Sequence, residues 1–79
     1  INPTRRATYW TGYGRALARM RGRQNEAVMA LRRAEKISPG KVLRNPLARD
    51  IIGELVARSQ RDAVGRELRG MAYRAGLPV

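Results

Sequence analysis

Cysteine, histidine and phenylalanine are all absent from this chain of 79 residues, and its aromatics amount to one tryptophan and three tyrosines. Without cysteine there is no disulfide staple and no thiolate ligand, which fits a reducing compartment and makes the cytoplasm the expected location. Lacking histidine as well, the chain has neither the Ser-His-Asp or Cys-His arrangements of nucleophilic catalysis nor the usual zinc ligand sets. Carboxylates are scarce too, six in all, and no pair of them sits in an apolar setting that would tune it for acid–base work. No enzyme, no cofactor and no metal are expected. Long apolar runs are also missing. The longest nearly apolar stretch, Ile51 to Ala57, contains Gly53 and Glu54 and is far too short to span a bilayer. No basic segment leads into an apolar core of the secretory kind near the start, so no signal peptide is expected there. Asn2-Pro3-Thr4 is excluded as a glycosylation acceptor by its central proline.

Positive charge, by contrast, is plentiful: seventeen basic residues against six acidic ones give a net charge of +11. That balance raises nucleic acid or anionic lipid as partners. Two features temper it. Nearly all the basic residues are arginine rather than lysine, a bias that GC-rich codon usage also produces. They are spread along every expected helix instead of forming a tail, and charge alone supplies non-specific affinity without readout.

Apolar residues recur at helical spacing almost throughout, so the fold class is all-α, one small domain covering 1–79. A chain this short buries only about 60–65% of its unfolded surface, which leaves a thin margin of stability. The spacing predicts four helices. A first runs from Thr4, as N-cap, to Arg21, with Trp10, Gly14, Leu17 and Ala18 as its buried stripe, Tyr13 on the flank, and a turn at Gly22. A second covers Gln24 to Ile37 and buries Ala27, Ala30, Leu31, Ala34 and Ile37. Glu26 and Lys36 suit its dipole, and Ser38-Pro39-Gly40 ends it. Lys41 to Arg44 reads as a connector. Asn45-Pro46 then gives a strong start signal for a third helix, whose stripe is Leu47, Ile51, Ile52, Leu55 and Val56, ending near Arg58. Polar Ser59 and Asp62 at the next stripe positions suggest a break, with Ser59 capping a fourth helix that buries Val64, Leu68, Met71, Ala72 and Ala75 and closes at Gly76. One continuous helix from Pro46 to Ala75 is the alternative.

The first two helices carry the most specific motif. Trp10-x2-Tyr13-Gly14-x2-Leu17, then Gly22, Ala27, Leu31, Ala34 and Pro39, resembles the tetratricopeptide repeat, with one extra residue between Leu17 and Gly22. Gly14 and Ala27 would be small where the helices cross. Any amphipathic hairpin has small residues at its crossing, so this motif also has a plainer explanation. Beyond the hairpin, roughly residues 7–77 look like the C-terminal end of a family of Xre-type helix-turn-helix transcriptional regulators, in which a DNA-binding domain precedes a tetratricopeptide-like regulatory one. Here no recognition helix is present. The resemblance implies a hairpin over 1–39 and closing helices over 45–77, a piece of a longer chain that opens on Ile1 and serves sensing or oligomerisation. Its partner would be a protein or peptide, a second copy, or preceding repeats of the parent; DNA recognition would belong to the missing domain.

Three groups of residues follow as candidates. By the resemblance, Thr8, Thr11, Arg15 and Ala18 would line a partner surface, against the plainer reading of a solvated helix face. Tyr9, Trp10 and Tyr13 surround the first helix and suggest a side that more protein covers, because a lone repeat cannot bury both faces. On the fourth helix Arg66, Arg69 and Tyr73 fall on one stripe, with Arg58 and Arg61 near its start; they would contact nucleic acid, or merely solubilise a face partly neutralised by Glu67 and Asp62. Glu54–Arg58 and Asp62–Arg66 have the spacing of weak helical ion pairs.

Overall fold

The computed structural model of the chain describes residues 2–78. Among them are five helices and no strand: α1 (Pro3–Ala18), α2 (Gln24–Ile37), α3 (Pro39–Arg44), α4 (Pro46–Ala57) and α5 (Ala63–Arg74). The expected count of four is therefore corrected to five.

Helix α1 starts one device earlier than Thr4. Asn2 is extended, its side-chain oxygen accepts from the Thr4 N–H at 2.8 Å, and Pro3 occupies the first helical position. With its own N–H already engaged, Thr4 lies inside the first turn rather than capping it. The helix also ends at Ala18, short of Arg21. Its ladder tightens there as the Arg19 and Met20 N–H groups donate to Ala16 and Leu17. The Arg23 N–H then closes a turn onto the Met20 carbonyl. Gly22 in that turn has φ +78°, and a positive value at this third position alone is the type II pattern that favours glycine.

Helix α2 forms over the residues the periodicity marked. It runs antiparallel to α1, with Gly14 opposite Ala27 and Leu31. A Cβ added at Gly14 would lie 3.1 Å from Leu31 Cγ and 3.4 Å from the Ala27 carbonyl oxygen, so the pair is as close as its smallest residue allows.

The connector is itself a helix. Ser38 leaves the helical conformation at the end of α2, Pro39 takes the first position of α3, and the turn delivers Val42 into a small cluster with Ala7, Ala34 and Ala48. Burying Val42 gives the segment a reason to coil that a proline–glycine pair does not announce. Asn45 then ends α3 and caps α4, accepting from the Leu47 N–H at 2.9 Å. The buried face of α4 is Ala48, Ile51, Ile52 and Leu55. Leu47, expected in the stripe, is exposed, and Val56 is half-buried.

The chain breaks after α4, so one long helix is ruled out. Ser59 is not the cap of α5: its hydroxyl donates back to the Val56 carbonyl, closing α4. Asp62 caps instead, accepting from the Gly65 N–H at 2.7 Å. The loop folds so tightly over this first turn that a Cβ at Gly65 would meet the Gln60 carbonyl oxygen at 1.9 Å. At the far end Gly76, with φ +76°, and Leu77 donate to the Tyr73 and Ala72 carbonyls, a Schellman motif that tucks Leu77 against the core.

Helices α4 and α5 lie across the α1–α2 pair, and the core forms where they meet it, around Leu31, Ile52, Leu55, Leu68, Met71 and Val28. Neither expected helical ion pair forms. Asp62 is engaged in its cap, and Arg58 has left the helical register of Glu54.

Candidate interaction surfaces

Helix α1 presents different residues to its several neighbours, and this divides the expected partner group. Thr11 and Ala18 are buried inside the fold, with the Thr11 hydroxyl donating to the Ala7 carbonyl at 2.9 Å. Thr8 and Arg15 are exposed. The four therefore do not form one surface: the side of α1 bearing Thr11 and Ala18 is turned inward, and Thr8 spends its hydroxyl on the Thr4 carbonyl.

The aromatic group does come together. Tyr9 and Tyr13, one turn apart, stack with ring centroids 6.3 Å apart, and each meets Trp10 edge to face at 5.3 and 5.7 Å. Trp10 is half-buried and touches the core from outside, while the Arg33 guanidinium lies 4.8 Å over its ring, within cation–π range. From α2, Met29 adds its side chain to the same side. Tyr9 and Met29 remain about two-thirds exposed, at 63% and 60%. Between α1 and α2 a groove of about 510 Å³ runs past Trp10, Tyr13 and Met29, with Arg33 and Lys36 on its rim. Helices α4 and α5 do not cover this side.

A charged cluster that periodicity did not reveal ties α2 to α5. Glu35 is buried, and its two oxygens accept from Arg74 at 2.7 and 2.9 Å and from Arg32 at 2.6 Å. Arg32 in turn reaches Glu67 at 2.9 Å. Burial on its own would raise the Glu35 carboxyl pKa, but hydrogen bonds and charge from Arg74 and Arg32 outweigh it and hold the group below its ordinary value. The same carboxylate raises Arg74, against a smaller cost of burial. Arg74 lies 39 residues from Glu35, a separation that leaves no local spacing to find. Arg49 provides another hidden contact, donating from α4 to the Ala75 carbonyl at the negative end of α5.

The arginine group is divided as well. Arg61, Arg66 and Arg69 line one shallow depression beside the start of α5, and Arg69 donates to the Gln60 carbonyl at 3.3 Å. Arg58 faces a different one, toward the α1–α2 turn. Tyr73 stands further along α5, at 76% exposure. Among the described residues no group of three or more acidic, histidine or cysteine side chains converges as a metal site would require, and no helix is long and apolar enough to cross a membrane.

No protein family, curated protein or solved structure matches the chain.

Proposed function

We propose that this protein is a non-enzymatic interaction module, the closing end of a helical array, whose docking surface is the open side of the α1–α2 pair. The observation that carries this reading is the asymmetry of that pair. One side is sealed by α4 and α5, with Leu31 and Ile52 fully buried, whereas the other leaves Tyr9, Tyr13 and Met29 in water around a half-buried tryptophan. Tyrosine, tryptophan, methionine and arginine are the residues that interfaces enrich, and they are gathered here around one groove. The tetratricopeptide-like resemblance gives the surface its occupant. In a longer chain the preceding helical repeat would lie against it, and in the isolated chain a second copy would. The close approach of Gly14 to Leu31, at positions where that repeat keeps one residue small, supports the same view. In this proposal the parent is a cytoplasmic transcriptional regulator of the Xre-like kind, with DNA recognition in another domain and this module serving oligomerisation or sensing.

Sedimentation velocity over a concentration series tests the surface. The expected outcome is association that strengthens with added salt, because salt screens the repulsion between two chains of charge +11 while leaving apolar contact intact. Replacing Tyr9, Tyr13 and Met29 together by serine should leave a folded monomer. A wild-type chain that stays monomeric up to its solubility limit, with its tyrosines still in water, would overturn the proposal.

A further inference from the structure

On a different surface, which shares no residue with the aromatic groove, we infer that the start of α5 binds a single-stranded nucleic acid: Arg61, Arg66 and Arg69 hold the phosphodiester backbone and Tyr73 stacks a base. This inference does not rest on the docking proposal above.

The patch is neutralised only in part. By sequence, Glu67 and Asp62 stand close enough to cancel part of its charge. In the fold Glu67 is drawn away, while Asp62 keeps its charge and lines the depression, so three guanidinium groups face one carboxylate and the patch stays net positive. Glu67 pairs with Arg32 on α2, at 2.9 Å, and Asp62 accepts the Gly65 N–H in its helix cap at 2.7 Å. Arg61 and Arg66 are exposed and form no ion pair among the described residues. Arg69 is held in place by the Gln60 carbonyl, so one of the three guanidinium groups is positioned before any ligand arrives.

Geometry then selects the ligand. Arg66, Arg69 and Tyr73 are separated by three and four residues on α5, which places them on one stripe. Among the described residues Tyr73 is the most exposed of the large apolar side chains, and it belongs to neither hydrophobic cluster. A row of guanidinium groups ending in an open aromatic ring offers a track for phosphates and a platform for an unpaired base. Duplex DNA presents no free base face to such a ring. An anionic membrane is also a poorer fit, since Tyr73 is a single bulky ring on the stripe and Ala63 and Gly70 beside the arginines add no further apolar side chain to insert.

Fluorescence anisotropy with the full chain and labelled single-stranded RNA and DNA oligonucleotides of mixed sequence provides the test, with duplex DNA and phosphatidylserine vesicles as parallel probes. Binding should weaken steeply with salt. An Arg61→Ala/Arg66→Ala double variant, which removes two exposed side chains with no partner in the fold, should lose about tenfold or more in affinity and lower the salt slope by about 1.4. Tyr73→Ala should cost about tenfold with little change in that slope. An Arg5→Ala/Arg6→Ala variant removes the same charge at the other end of the chain and should change affinity by no more than about threefold. Whichever of RNA or DNA binds more tightly, dependence on Arg61, Arg66 and Tyr73 supports the site and identifies the backbone it takes. The inference is overturned if the Arg5/Arg6 control costs as much as the Arg61/Arg66 pair, if Tyr73→Ala is silent, or if vesicles bind and single strands do not.

Discussion

Helix α2 meets α1 through glycine, alanine and leucine, and meets α5 through a buried carboxylate gripped by two guanidinium groups. The first seam draws on surface area: Ala27 and Leu31 are fully buried, and the stabilisation grows with the apolar area removed from water. The second also has apolar neighbours in Leu68 and Met71, but its charged part works differently. Taking Glu35 out of water consumes most of what Arg74 and Arg32 return, so the net contribution is small. What the two-pronged Arg74 contact adds is direction, because a carboxylate and a guanidinium meet well at few angles. One seam holds α2 down; the other aims α5.

The largest effect that separates the two seams should come from Leu31→Ala. It empties the close-packed interface and should lower unfolding stability by about 2–5 kcal/mol in urea titration. Against a total of about 4–12 kcal/mol for a chain of this length, that is enough to unfold much of the population. A loss below about 1 kcal/mol would mean that α1 closes onto α2 and the seam is softer than it looks. Arg74→Ala should cost less, about 1–2 kcal/mol. The 3–5 kcal/mol typical of breaking a buried pair is reduced because the Arg74 side chain is 43% exposed and Arg32 still serves the carboxylate. A cost equal to that of Leu31→Ala would erase the distinction drawn between the seams.

Acid should produce the smallest and most selective effect. The folded-state pKa of Glu35 is depressed, so its stabilisation is present above the ordinary value of 4.5 and is lost as pH falls through the folded value. Arg74, raised further, stays charged throughout. Urea midpoints followed from about pH 6 to about pH 2.5 should therefore show the gap between wild type and Arg74→Ala narrowing, while the gap to Leu31→Ala stays constant. A gap to Arg74→Ala that is independent of pH would remove Glu35 from the explanation.

The same contrast explains what could be read from the sequence. Helix α2, the Asn45-Pro46 start and the Gly76 end were legible because each depends on residues within a turn or two of one another. Asn2-Pro3 is the same kind of start signal as Asn45-Pro46, but Thr4 beside it competes as a cap until the Asn2 hydrogen bond is seen. Pro39 was ambiguous in principle, since proline ends one helix as readily as it begins another, and only the landing place of Val42 decides. Of the site residues, the clustering of Tyr9, Trp10 and Tyr13 follows from local helical spacing and could be anticipated. That Thr11 faces inward depends on how the other helices pack against α1, whereas Ala18 already stood in the buried stripe that the spacing predicts. That Glu67 abandons the arginine stripe depends on Arg32 in another helix. Neither dependence leaves a trace in the local pattern.

The joints between helices differ in a way that bears on how this chain can change. Ser38 and Asn45 are each a single residue that ends one helix and begins the next, each followed by proline, so α2, α3 and α4 are linked without slack. One residue inserted at either joint would rotate everything after it by about 100° relative to its packing. The segments between α1 and α2 and between α4 and α5 are five residues long and lie outside any helix. Descendants of this sequence can therefore vary in length at those two turns, and even there the second is restricted by the pressure of the Gln60 carbonyl on Gly65. New loops would arise at the α1–α2 turn first, beside the groove where a partner would be met.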